Sequence, residues 1–253
     1  MIFPRSRICG VEIHAATFDE SVSAILAQAA LPHEMKYVVT PNAAHVVLLQ
    51  QDERFRRVYD DAFLVVPDGV PLIWAGRLLD QMLPERVNGT DLFEALCAGS
   101  AERLLRVFLL GGREGAAAAA ATVLKGRHPA LEISGVYSPP FGFERDAAEC
   151  ENIVARINRT RPDLLFVGLG APKQEYWMYD YRDRLDVGVA LGIGVSFEFV
   201  GGVVRRAPRW MQRAGLEWLF RLVMEPARLW KRYVVGNVQF CFLVARQLFA
   251  KRS

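Results

Sequence analysis

From residue 8 to residue 191 the chain repeats one alternation: a short, mostly apolar run, then a longer segment with apolar positions every three or four residues. The runs at residues 8–13, 37–40, 63–66, 106–110, 132–136, 164–167 and 187–191 read as strands. The segments 19–30, 42–59, 69–79, 91–104, 114–125, 146–158 and 174–185 read as helices. In the first of these, Asp19 stands where a cap belongs, and Val22, Ile25, Leu26 and Ala29 share one face. Strands that alternate with helices of this length predict an α/β body, a Rossmann-like and mostly parallel sheet covered by helices. With 253 residues, just over half of them apolar, the chain can build one large domain with an appendage. The run of alanines at 116–121 reads as close helix packing.

The pattern changes after residue 200, and so does the charge. Residues 205–253 hold eleven Lys and Arg against two Asp and Glu, a net +9, whereas residues 1–204 carry −6. The division expected is a catalytic body over 1–204 and a basic, aromatic-rich helical appendage over 205–253. One helix is expected over 208–224, with Pro226 starting another. Basic residues mixed with Trp210, Trp218, Trp230, Phe242 and Phe249 favour an anionic membrane surface as the partner of the appendage. The uncharged stretch 233–245 is too short to span a bilayer, which takes about 20 residues. Deletion of everything after Ala207 is therefore expected to leave a folded body that no longer binds membranes. The first ten residues lack the apolar run of a signal peptide. Cys9, Cys97, Cys150 and Cys241 form no CxxC pair and no cluster with histidine. Both features fit a protein on the cytoplasmic side, peripheral at the inner face of the membrane, with no structural metal.

Ligands of open α/β sheets bind beyond the carboxyl ends of the strands. The turns that follow the strands are Thr40-Pro41-Asn42, Pro67-Asp68-Gly69, Gly111-Gly112, Gly168 through Gln174, and Gly192-Ile193-Gly194. Glycine lets backbone N–H groups approach a phosphate, and a following helix offers its positive end. Gly111, Gly112, Gly168, Gly170, Pro172 and Lys173 are candidates for such a role; tight turns without a ligand read equally well. The GxxxxGK[ST] loop, the strict GxGxxG fingerprint, HExxH and GxSxG are all absent. Asp68, at a strand end, suits a general base or a turn aspartate bonded to its own backbone. His45, almost a turn into a helix, suits packing or hydrogen bonding.

These same residues resemble the WecG/TagA/CpsF family of bacterial glycosyltransferases. The matching pieces include Val66-Pro67-Asp68-Gly69, Arg86-Val87-Asn88-Gly89-Thr90-Asp91, Gly170-Ala171-Pro172-Lys173-Gln174-Glu175, Arg206-Ala207-Pro208, and Gly215-Leu216-Glu217-Trp218 with the tail beyond it. They cover nearly the whole chain. The resemblance implies an inverting transferase that takes N-acetylmannosamine or a related sugar from a UDP-sugar. It implies an acceptor sugar on undecaprenyl diphosphate, in teichoic acid or cell-surface polysaccharide synthesis. By position it makes Asp68 the general base, and Thr40, Asn42, Arg86 and Gln174 the residues that place donor and acceptor.

No Asp-x-Asp pair is present to hold a metal at the departing diphosphate, so no cofactor or metal is expected. Arg221, Arg228 and Arg232 can carry that charge instead, or can face lipid phosphates. Two other functions stay open at this point: a nucleotide-binding oxidoreductase, weakened by the missing glycine fingerprint, and a nucleic-acid-binding protein using the basic tail. The acidic body and polar crevice argue against nucleic acid as a partner. Self-association to a homo-oligomer is left open.

Overall fold

The computed structural model describes residues 3–230 and 234–252, with the side chains of Arg213, Arg228, Lys251 and Arg252 outside the description. A six-stranded sheet forms the centre, in the order β4 (Leu64–Val65), β3 (Lys36–Val39), β8 (Val189–Gly192), β7 (Leu164–Gly168), β5 (Arg106–Gly111) and β6 (Glu132–Tyr137). Every pairing in it is parallel. All six carboxyl ends therefore open on one edge of the sheet.

Side chains alternate between two cores, as a pleated sheet covered on both faces requires. Tyr37, Val39, Phe108, Leu110, Leu165, Val167 and Ala190 face one core. Val38, Val107, Leu109, Leu164, Phe166, Val189 and Leu191 face the other. The second core is closed by α1 (Phe18–Ala29), α5 (Gly89–Arg103), α6 (Ala116–Arg127) and α9 (Ser196–Val200). Its centre is an aromatic triad: Phe93 lies 4.7 Å from Phe166 and 5.4 Å from Phe197, edge to face. The alanine run faces this core through the buried Ala116, Ala117 and Ala120. It brings α9 in close: a side chain on Gly201 would begin 3.0 Å from Ala119.

Four expected elements differ. The strand expected at 8–13 is a separate antiparallel hairpin, β1 (Arg5–Ile8) with β2 (Val11–His14). Cys9 and Gly10 both take positive φ and turn the chain between the two strands. The helix expected at 42–59 is two, α2 (Ala43–Leu48) and α3 (Glu53–Asp60), because Asp52 stops one and caps the other by accepting from the Phe55 N–H at 2.9 Å. The cap of α1 is Thr17, not Asp19: Thr17 and Glu20 form a reciprocal capping box. The helix expected at 208–224 breaks at Ala214 and Gly215, the latter at φ 73°, into α10 (Arg209–Arg213) and α11 (Glu217–Met224).

The remaining helices are α4 (Val70–Leu78), α7 (Ala147–Thr160) and α8 (Lys173–Tyr181), which supply the first core, and the terminal α12 (Pro226–Trp230) and α13 (Gly236–Arg252). The last of these returns to the body and packs on α2. Phe240 and Val244 are buried in the first core. Gln247 accepts from the Cys9 N–H at 2.5 Å and donates to the Arg7 carbonyl at 3.0 Å. Removing everything after Ala207 would therefore open the body that the sequence led us to expect would stand alone. Among the described residues no helix is long and apolar enough to cross a membrane.

Candidate active site

The carboxyl edge of the sheet forms the floor of a cleft of about 1110 Å³. Thr40, Asn42, Asp68, Arg86, Gly112, Gly168, Gly170, Pro172, Lys173, Gln174 and Arg221 all line it. Parallel pairing is what gathers them: Gly111 sits beside Gly168, and Val167 beside Gly192. Gly111 lies behind the wall. Arg228's side chain and Arg232 lie outside the described residues.

Asp68 follows β4 and is held by its N–H, which donates to the Pro41 carbonyl at 2.8 Å. Its Oδ1 accepts from Asn88 Nδ2 at 2.9 Å. Burial pushes its pKa up from 3.8 to about 7; Arg86 pulls it back, Glu217 pushes it further up, and Asn88 and Arg221 pull it down. The group is thus half ionised near neutrality, as a proton acceptor needs to be. Gly89 stands beside it. A side chain there would begin 3.7 Å from Thr40 Oγ1 and 3.9 Å from Asp68 Oδ2, in van der Waals contact with both.

A charged cluster borders Asp68. Arg86 lies 4.0 Å from Asp91 and 3.8 Å from Glu217. Arg206 reaches Asp91 at 2.6 Å and Glu217 at 3.2 Å. Two guanidinium groups and two carboxylates thus join the loop before α5 to the segment around α11. Arg206, Glu217, Asn88 and Asp91 were not assigned roles from the sequence. The signal was present, since all four stand in the segments that carry the family resemblance, but no spacing rule links positions so far apart in the chain.

The other candidates take more structural parts. Asn42 caps α2, its Oδ1 accepting from the N–H groups of Ala44 and His45. The Gln174 amide is buried; its Oε1 accepts from the Gly194 N–H at 3.0 Å and its Nε2 donates to Glu175 at 2.9 Å. It ties the turn after β7 to the turn after β8. Lys173 pairs with Glu144 at 2.8 Å and lies over the Phe141 ring. His45 is buried against Phe55, with Nδ1 3.1 Å from the Tyr59 hydroxyl.

The two glycine turns serve packing as well as the cleft. The Gly112 N–H donates to the Gly168 carbonyl at 2.8 Å and the Arg113 N–H to Glu198 at 3.0 Å, so neither of these donors points at a free acceptor. A side chain on Gly168 would begin 2.7 Å from Phe197. At Gly111 the φ of 102° is a conformation that L side chains rarely adopt, and a Cβ would lie 2.8 Å from the Gly168 backbone. Gly111→Ala is expected to destabilise the fold by ~2–4 kcal/mol. The check is a lowered urea midpoint with an unchanged m-value; an unchanged midpoint would show that the strand ends can part.

A sequence model of the glycosyl transferase WecG/TagA/CpsF family matches residues 6–253. The chain belongs to that family. It is 34% identical over 196 residues to the N-acetylglucosaminyldiphosphoundecaprenol N-acetyl-beta-D-mannosaminyltransferase of Bacillus spizizenii, covering 78% of this chain and 74% of the relative. The protein of the same description in Bacillus subtilis is 33% identical over 194 residues, 77% and 72% of the two chains. That of Staphylococcus aureus is 29% identical over 221 residues, 86% and 81%. The protein is a glycosyltransferase. Among the described residues no group of three or more His, Cys, Asp and Glu is placed to hold a metal ion.

Proposed function

We propose that this glycosyltransferase moves N-acetylmannosamine or a related sugar from a UDP-sugar to a sugar carried on undecaprenyl diphosphate, with inversion and with Asp68 as general base. The observation that carries the reading is the partly desolvated Asp68 on the floor of the cleft, between Asn88, Thr40 and Arg86. The activity by which the relatives are described supports the choice of sugar and of lipid-linked acceptor.

The reaction breaks the bond between the anomeric carbon and the UDP oxygen and forms one to the acceptor oxygen on the opposite face. The acceptor hydroxyl proton passes to Asp68. The bonding pair leaves with UDP, whose diphosphate gains negative charge that the site must stabilise. Arg86 and Arg221 both line the cleft, and their guanidinium groups suit a diphosphate. An oxidoreductase reading has nothing comparable to support it.

Assay of the full chain with a panel of UDP-sugars and a lipid-diphosphate-linked N-acetylglucosamine acceptor tests the reading. Product with UDP-N-acetylmannosamine or a close analogue is expected; transfer only from a different nucleotide class would overturn it. The same assay tests the charge argument. Transfer should persist in excess EDTA, and loss of activity restored by magnesium or manganese would assign the diphosphate to a metal.

The C-terminal segment is proposed as the membrane-facing part. Trp210, Val223, Met224, Trp230, Val238 and Phe242 are all exposed there, on a segment of strong positive charge. Apolar side chains flanked by basic ones suit an anionic bilayer surface.

A further inference from the structure

Asn88 caps α5, and both ends of its side chain are engaged. Its Oδ1 accepts from the N–H groups of Thr90 at 3.0 Å and Asp91 at 3.3 Å, and from Arg206 Nη2 at 3.0 Å. An amide end that faces three donors must be the oxygen. Its nitrogen is therefore turned to Asp68 Oδ1, at 2.9 Å. That bond occupies one carboxylate oxygen, while Oδ2 faces Gly89.

Arg206 comes from the C-terminal segment and commits every arm of its guanidinium. Nη1 holds Asp91, Nε holds Glu217 and Nη2 holds Asn88. Two of these partners are carboxylates, which makes the contacts charge-assisted and directional. Arg206 is not among the residues that line the cleft.

We infer that Arg206 is a positioning residue for the transfer reaction: by pinning the Asn88 amide it aims Asp68, so the base is set only when the C-terminal segment is docked on the 86–91 loop. The inference rests on the reading of Asp68 as base. Loss of Arg206 frees the Asn88 amide to turn. It also leaves Asp91 and Glu217 short of a cation, close to Asp68. The charged groups that face Asp68 are Arg86, Glu217 and Arg221. Arg86 and Arg221 remain in the variant, while Glu217 becomes the less compensated neighbour. Each change favours the protonated carboxyl.

The test is the pH dependence of kcat/KM for Arg206→Met, Arg206→Lys and Asn88→Ala in the full chain. The acidic limb of that profile reports the base in the free enzyme. It does not depend on what fraction of the protein is folded. Arg206→Met and Asn88→Ala are each expected to move the limb up by about one pH unit, the order of one hydrogen bond to a charged group. From a limb near pH 7, kcat/KM at pH 7 should fall about fivefold and largely recover near pH 9, with UDP affinity for Arg206→Met within about threefold of the parent. Arg206→Lys keeps the charge without the fork and should stay displaced. A uniform loss of rate with an unmoved limb would reduce Arg206 to a structural tie, and a parental limb in Arg206→Lys would reduce it to a charge. Either result overturns the inference. Asp68→Asn with near-normal turnover would instead remove the base assignment itself, so the two failures are distinct.

Discussion

Asp68→Asn is expected to cut turnover by roughly 10²–10⁴-fold, the usual worth of a general base. The substitution keeps the size of the side chain, and its own oxygen can still accept from Asn88 Nδ2. Only the capacity to take a proton is lost, so UDP should bind as before. The parent enzyme's kcat/KM should fall below about pH 7 as Asp68 takes up a proton, and the residual activity of the variant should lack that limb. Stability should move the other way. Asp68 has a folded pKa raised from 3.8 to about 7. Its contribution to stability is fully present below pH 3.8 and is lost as pH rises through about 7. At pH 8 the parent therefore carries a poorly solvated charge that the asparagine lacks. The variant should melt at a higher temperature than the parent at pH 8, and the gain should vanish towards pH 4. A variant that is active, or one that is less stable at pH 8, would mean that Asp68 is not the desolvated acceptor described above.

Replacing Trp230, Val238 and Phe242 together by glutamate is expected to abolish binding to anionic vesicles. All three side chains are exposed, so the fold should tolerate the change. Each apolar side chain withdrawn from a membrane surface forfeits about 1.5–3 kcal/mol, before the cost of placing carboxylates against anionic lipid. Three such losses should lower partitioning by more than about 100-fold. Surface substitution is the better instrument than truncation, because α13 also supplies Phe240 and Val244 to the core. Sedimentation with vesicles rich in anionic lipid, paired with kinetics on a membrane-embedded and a short water-soluble acceptor, reads the result. Turnover should collapse on the embedded acceptor and survive on the soluble one. Undiminished sedimentation would remove the membrane role from this face. Parental binding should also weaken as salt rises, since surface charge is screened.

The α/β class, the parallel sheet and its strands were legible because period is a local property. A strand buried on both faces reads as a short apolar run, and the covering helices repeat their apolar positions every three or four residues. The carboxyl-edge turns followed from that, and with them Thr40, Asp68, Gly168 and Lys173 as cleft residues. Boundaries were less legible. Asp52 divides one expected helix because it can cap, and Cys9-Gly10 folds one expected strand into a hairpin. Capping and positive-φ turns are decided by a single residue and its neighbours in space, and an averaged apolar pattern passes over them.

What the sequence by itself determined was the α/β class with its parallel sheet, the edge whose turns line the cleft, and the family. The tertiary structure alone decided which residues surround Asp68. Arg206 meets Asn88 across 118 residues and Glu217 meets Arg86 at 3.8 Å. It also decided that the Gly112 and Arg113 N–H groups are occupied, and that the last helix is part of the core. The physical reason is range. Secondary structure follows from torsional preference and apolar spacing along a few residues, whereas hydrogen-bond direction, desolvation and charge pairing exist only once distant segments share a site.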